Sequence, residues 1–163
     1  MHSTILAAFA ASVLAACQPA TPSNDLSSQA PMSPQAAVAA VRQVIQQEID
    51  DWNAGDLDAV LAIFADDVVR MLPDTVTVGK EALPLRWRQH LEENSDVWEP
   101  TIDEIEAAGN LVFVKLHFTE TTTPKAGGES TVFHGEGVTV FRRSASGRWE
   151  VVLDQWFERE PSR

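Results

Sequence analysis

Residues 52–67 read WNAGDLDAVLAIFADD, and the fold turns on how this string divides. Gly55 offers the left-handed backbone that closes a helix, and Asp56 the side-chain oxygen that opens the next. One helix must therefore run up to Trp52 and another must leave from Leu57. Upstream, from Pro34 onward, Val38, Val41, Ile45, Ile49 and Trp52 recur at spacings of three and four, which is one apolar stripe of an amphipathic helix. Downstream, Leu57, Val60, Leu61 and Phe64 predict a second, short helix that stops near Ala65, Asp66 and Asp67. The two pack as a hairpin.

Beyond the string, VVRML (68–72) has strand character, Pro73 and Asp74 turn the chain, and Val76 and Val78 alternate with threonines up to Gly79. Leu83, Trp87 and Leu91 share the face of a third helix, which Pro84 either starts or kinks. The remainder is strand material at 101–107, 111–123, 129–143 and 148–158, punctuated by Gly109-Asn110 and by turns at 124–128 and 144–147. Such segments predict consecutive antiparallel hairpins. The expected fold is α+β, with three N-terminal helices packed on a strongly curved antiparallel sheet. In residues 111–118 both strand faces are apolar: Val112, Val114, Leu116 and Phe118 on one, Leu111 and Phe113 on the other. The second face needs cover, and a homodimer partner would supply it.

The 163 residues allow one domain, placed at 36–160 with 161–163 as a tail. A formal charge of -12 repels phosphate backbones, so no nucleic-acid partner is expected. Tyr is absent, which removes any mechanism with a phenol as proton donor, and one Cys cannot make an internal disulfide. That Cys has a telling place. The uncharged run TILAAFAASVLAA (4–16) is too short to span a bilayer and leads into Leu14, Ala15, Ala16 and Cys17, which resembles the lipobox of bacterial lipoproteins. Residues 1–16 are then a signal peptide, although Met1 to Thr4 lack the usual Lys or Arg, and Cys17 is the lipidated first residue of the mature chain. Residues 17–35 follow as a Pro- and Ser-rich tether reaching about 23 Å as a flexible coil. The expected location is the bacterial cell envelope, anchored by lipid to a membrane and facing the periplasm or exterior.

The string at 52–67, Gly79 before a helix and the late RRSASGRWEVVLDQW (142–156) together resemble the nuclear transport factor 2-like superfamily, closest to its SnoaL-like and domain-of-unknown-function branch. The resemblance covers about residues 36–160. It implies a cone-shaped, cystatin-like roll of the ketosteroid isomerase type, with an apolar pocket between bent sheet and helices. It does not by itself imply a reaction, because the superfamily holds isomerases, dehydratases, hydrolases, cyclases and binding modules. Where ketosteroid isomerases carry the tyrosine that stabilises the oxyanion this chain has Glu48, where they carry the general base it has Leu72, and for their protonated aspartate it has Thr139. An ionised Glu48 could not donate the hydrogen bond, so that mechanism is not implied.

By the same resemblance Val152, Asp154 and Trp156 turn toward the pocket, and Asp154 becomes the catalytic candidate: a carboxylate desolvated by apolar neighbours is raised in pKa and suited to general acid or base work. Salt-bridging to an arginine is the competing expectation. Glu48, Glu120, Trp52, Met71, Trp87, Trp98, Trp156 and Thr139 are expected around the ligand. Asp66 and Asp67 read as carboxylates accepting backbone hydrogen bonds at a helix-to-strand junction. His117, His134 and Glu136 have the residue types of a metal site, yet Gly135, Gly137 and Thr139 face the pocket, so the three fall on the opposite surface; no metal or cofactor is expected. The two glycines are expected to mark a bulge. Two functions remain open: a module that binds a small hydrophobic molecule without chemistry, or a cofactor-independent lyase, isomerase or hydrolase working through Asp154. The discriminating feature is a second polar group within reach of Asp154, able to stabilise developing negative charge.

Overall fold

The computed structural model describes residues 32–159; residues 1–31, with Cys17 and nearly all of the tether, lie outside them. Three α-helices come first, α1 (Pro34–Ala54), α2 (Leu57–Ala62) and α3 (Pro84–Glu93), with strands β1 (Phe64–Leu72) and β2 (Thr75–Val78) between the last two. Four long strands follow: β3 (Asn94–Ala108), β4 (Leu111–Pro124), β5 (Thr131–Arg143) and β6 (Trp149–Glu158). They form one six-stranded sheet in the order β2-β1-β6-β5-β4-β3, which does not close. The helices cover one face of it. No helix among the described residues is long and apolar enough to cross a membrane.

Local chemistry sets the helix ends. Ser33 accepts from the Ala36 amide at 3.2 Å at the start of α1, and Gly55, at φ 73°, turns the chain out of it. One residue later Asp56 accepts from the Ala59 amide at 3.1 Å and launches α2. Pro84 stands in the first turn of α3, where its missing N–H costs nothing. Ala37, Val41 and Ile45 of α1, Val60 of α2 and Val112, Val114, Phe141 and Val151 of the sheet fill the core between the layers.

The structure departs from the sequence reading where pairing overrides local pattern. Helix α2 ends at Ala62 and Phe64 already belongs to β1, because the Ile63 carbonyl accepts from the Val151 amide at 2.8 Å and Phe64 aligns with Val151. This β1·β6 pair runs parallel, the one exception in an otherwise antiparallel sheet. Strand β3 begins at Asn94, well before residue 101, and includes Pro100; as an edge strand it tolerates a residue with no N–H to give.

Gly135 and Gly137 are not a bulge, since pairing runs unbroken through both. They clear space: a Cβ on Gly135 would overlap the Phe118 ring, and one on Gly137 would press on Trp156. The bulge lies further on, where Phe141 pairs with Val151 but Val140 with Leu153, leaving Val152 as the extra residue. That one residue changes which side chains of β6 face the helices. Val151 is buried in the core, and after the bulge it is Asp154 that faces inward, level with Thr139. Val152, expected in the pocket, is displaced from it.

Candidate functional site

Helices and sheet enclose a pocket of about 290 Å3. Four tryptophans line it: Trp52 from α1, Trp87 from α3, Trp98 from β3 and Trp156 from β6. Of the side chains expected there, Glu48, Trp52, Trp87, Glu120, Thr139, Asp154 and Trp156 all lie in its wall, as do Leu72 and Trp98. Met71 does not. Residues 70 and 72 take the inward positions of β1, and strand alternation sends Met71 to the other side.

The inward residue at 70 is an arginine, and it organises one end of the pocket. Parallel pairing of β1 with β6 sets Arg70 opposite Asp154, and Nε lies 2.9 Å from Oδ2 with both side chains mostly buried. The guanidinium carbon stands 4.4 Å from the centre of the Trp87 ring and 5.8 Å from that of Trp156, so the cation rests between aromatic faces. Asp154 thus meets both expectations placed on it, the apolar pocket and the arginine. Burial raises its carboxyl above the usual range, while the Arg70 charge and hydrogen bonds from Arg70 and Thr139 pull it back.

Glu48 reaches the same space from the inner face of α1. Burial, reinforced by the charge of Asp154 and only partly offset by Arg70, pushes its carboxyl up to about 8. One guanidinium neutralises one carboxylate, and the second carboxyl keeps its proton. The expectation that Glu48 is an ionised carboxylate, unable to donate, is therefore overturned by its desolvation. A neutral carboxylic acid donates a hydrogen bond as a phenol does.

A second polar cluster sits further along the sheet. The Trp52 indole N–H donates to Glu120 Oε1 at 3.1 Å, and burial together with the nearby Asp96 raises the Glu120 carboxyl. His90, which also lines the pocket, lies 2.7 Å through Nε2 from Oδ2 of the buried Asp96.

The sequence reading does not single out Arg70, His90 or Asp96. Arg70 carries a usable signal, a lone charge inside the apolar run VVRML, and His90 follows Trp87 by one helical step. Asp96, in the irregular SDVWEP, carries none.

Outside the pocket, Asp67 accepts two hydrogen bonds from the Arg142 guanidinium, at 2.7 and 3.1 Å, in addition to a backbone hydrogen bond. His117 pairs with Asp103 at 2.8 Å and His134 with Thr119 at 3.1 Å on the opposite side of the sheet. Among the described residues, His, Cys, Asp and Glu form no group of three placed to hold a metal ion.

A pocket-forming α+β roll with a buried arginine and carboxyl groups is a recognisable class of domain. The chain belongs to the SnoaL-like domain family, which matches residues 45–152. Solved structures agree in fold. A conserved protein from Planctomyces limnophilus superposes with TM-score 0.71 at 24% identity, covering 76% of this chain and 96% of that one. A ketosteroid isomerase-like protein from Erwinia carotovora atroseptica gives TM-score 0.67 at 25% identity, over 76% of this chain and 97% of the other. A nuclear transport factor 2-like protein with a cystatin-like fold from Novosphingobium aromaticivorans gives 0.62 at 15% identity, over 76% and 82%. Among curated proteins, none matches.

The raised Glu48 carboxyl makes stability pH-dependent with a definite sign. Between its ordinary value of 4.5 and about 8 the folded chain holds a proton that the unfolded chain has lost, so stability falls as pH rises through that window and levels off above it. Glu48→Gln, which mimics the neutral acid, should be the more stable protein at pH 9 by on the order of 2–4 kcal/mol and nearly equal to wild type at pH 4.5. Urea titrations across this range decide it, and parallel curves for the two proteins would contradict it.

Proposed function

We propose that this chain is an exported, lipid-anchored protein of the bacterial envelope. Its pocket binds a small, largely apolar molecule bearing an oxygen function and moves a proton on it without a cofactor. The anchor rests on the sequence ending in Leu14, Ala15, Ala16 and Cys17 and on the tether behind it, and several acyl chains would hold it on the membrane stably where one would not. Membrane fractionation is the test: wild type stays with the membrane, and equal, soluble behaviour of wild type and Cys17→Ala would refute it. A homodimer through the outer sheet face rests on Leu111 and Phe113, which are 40% and 37% exposed on β4. Residues 32–163 should sediment as a dimer at micromolar concentration; a monomer there would count against it.

One observation carries the chemistry: two carboxyl groups share one apolar pocket, and of these Asp154 lies on a guanidinium while Glu48 keeps its proton. Both acids are raised by burial, but only Asp154 touches the guanidinium, and such unequal environments are how two carboxyl groups can serve as base and acid at one pH. The Asp154 carboxylate would take a proton from the carbon beside a carbonyl. The Glu48 carboxyl would hydrogen-bond the oxygen as negative charge develops there. The proton returned to another carbon gives an isomerisation, and loss of a leaving group gives a lyase reaction. A second reading, binding without chemistry, is favoured by the same 2.9 Å contact, because Arg70 already occupies one oxygen of the base.

The two readings separate on a simple ketone. With 2-tetralone in deuterated water, the wild type should accelerate deuterium uptake beside the carbonyl, and uptake should decline as pH passes about 8 and Glu48 loses its proton. Asp154→Asn should bind the ketone, read by tryptophan fluorescence, but exchange it at least about 100-fold more slowly. Saturable binding by wild type with no acceleration would leave the binding module as the function.

A further inference from the structure

We propose that His90, oriented by Asp96, and Glu120 form a second polar subsite at the far end of the pocket, and that it takes a hydroxyl group on the distal end of the ligand. The ligand class is therefore an apolar body with an oxygen function at each end. This rests on the reading of the pocket as a binding site.

Separation comes from the register. Asp154 lies level with Thr139 on β5, whereas Glu120 lies level with Phe133, six residues along the same strand. That register sets the two groups at different levels of the pocket, near enough for the Arg70 charge still to lower the Glu120 carboxyl. Trp52 and Trp98 flank Glu120, Trp87 and Trp156 flank Arg70, and together they give the pocket apolar walls.

Complementarity comes from the donors and acceptors. The 2.7 Å contact with Asp96 Oδ2 engages His90 through Nε2 and leaves Nδ1 as the second polar atom of a ring that lines the pocket. Glu120 accepts at Oε1 from the Trp52 indole, and burial raises its carboxyl above the usual range. An imidazole nitrogen and a carboxyl group in one pocket wall match a hydroxyl, which both donates and accepts.

The Asp96 side chain is fully buried and its Oδ1 has no partner, a costly placement for a carboxylate. Joining α3 to the sheet does not require it. The Asn94 side chain donates to the His90 carbonyl at 3.0 Å, and the Lys125 amide donates to the Glu93 carbonyl at 2.9 Å, closing the same junction. What Asp96 adds is a fixed orientation of the imidazole. Asp96 is thus a positioning residue for His90.

Calorimetric titration of the full-length protein with 2-naphthol and with 2,6-dihydroxynaphthalene tests the subsite. The second hydroxyl should tighten binding about five- to tenfold in wild type, beyond the statistical factor of about two that two equivalent groups give. His90→Phe should remove that gain, so that the variant binds the two compounds within about twofold of each other. Asp96→Asn, which keeps the shape, should reduce the gain as well, and long-range nitrogen NMR should show a hydrogen on His90 Nε2 in wild type that the variant no longer holds fixed there. Binding of 2-naphthol with no gain from the second hydroxyl, or a gain that survives His90→Phe in a protein with a wild-type melt, overturns the subsite alone. Failure of both compounds to bind at millimolar concentration removes the pocket reading itself, and the subsite with it.

Discussion

A guanidinium shared by more carboxyl groups than it can neutralise is the constraint on which the pocket depends. Arg70 is placed by a strand that joins the sheet in parallel, is sandwiched by Trp87 and Trp156, and lies 2.9 Å from Asp154. In so apolar a setting an uncompensated second negative charge costs several kcal/mol, so Glu48 holds its proton up to about 8. The chemistry offered to a ligand follows from that imbalance. Burial raises both carboxyl groups, and the Arg70 charge offsets that rise most directly at Asp154, which it touches.

The same constraint bears on the positions at which the resemblance to ketosteroid isomerases implies a phenol and two aspartates. Leu72 and Thr139 supply no acid, and Tyr is absent from the chain. The first helix brings a carboxyl group instead, and desolvation gives it the donor character that an ionised glutamate would lack. Under the proposed function, turnover requires Arg70 to release the oxygen of Asp154 that it touches.

The helices are legible in the sequence because their signals are local. Ser33, Gly55, Asp56 and Pro84 fix helix ends through bonds to neighbours in the chain, and the spacing of Val41, Ile45 and Leu91 fixes the buried faces. The pocket is legible only as far as strand alternation holds. Met71 and Val152 fall elsewhere than expected for one reason, that the inward parity of β1 and β6 is set by a parallel partner and a bulge, both of which are contacts between distant residues. Asp154 is legible because the resemblance places the late strand as a whole. Arg70 and Asp96 stay hidden because their meaning depends on what lies across from them: a charge in an apolar run reads as a strand edge until an acid is seen opposite.

Infrared difference spectroscopy of the Glu48 carboxyl tests the charge balance most directly. The wild type near neutral pH should show the carbonyl stretch of a protonated, buried carboxyl group that fades as pH is raised through about 8, and Glu48→Gln should lack that band. Absence of the band in wild type, or its persistence unchanged in Glu48→Gln, would contradict the account.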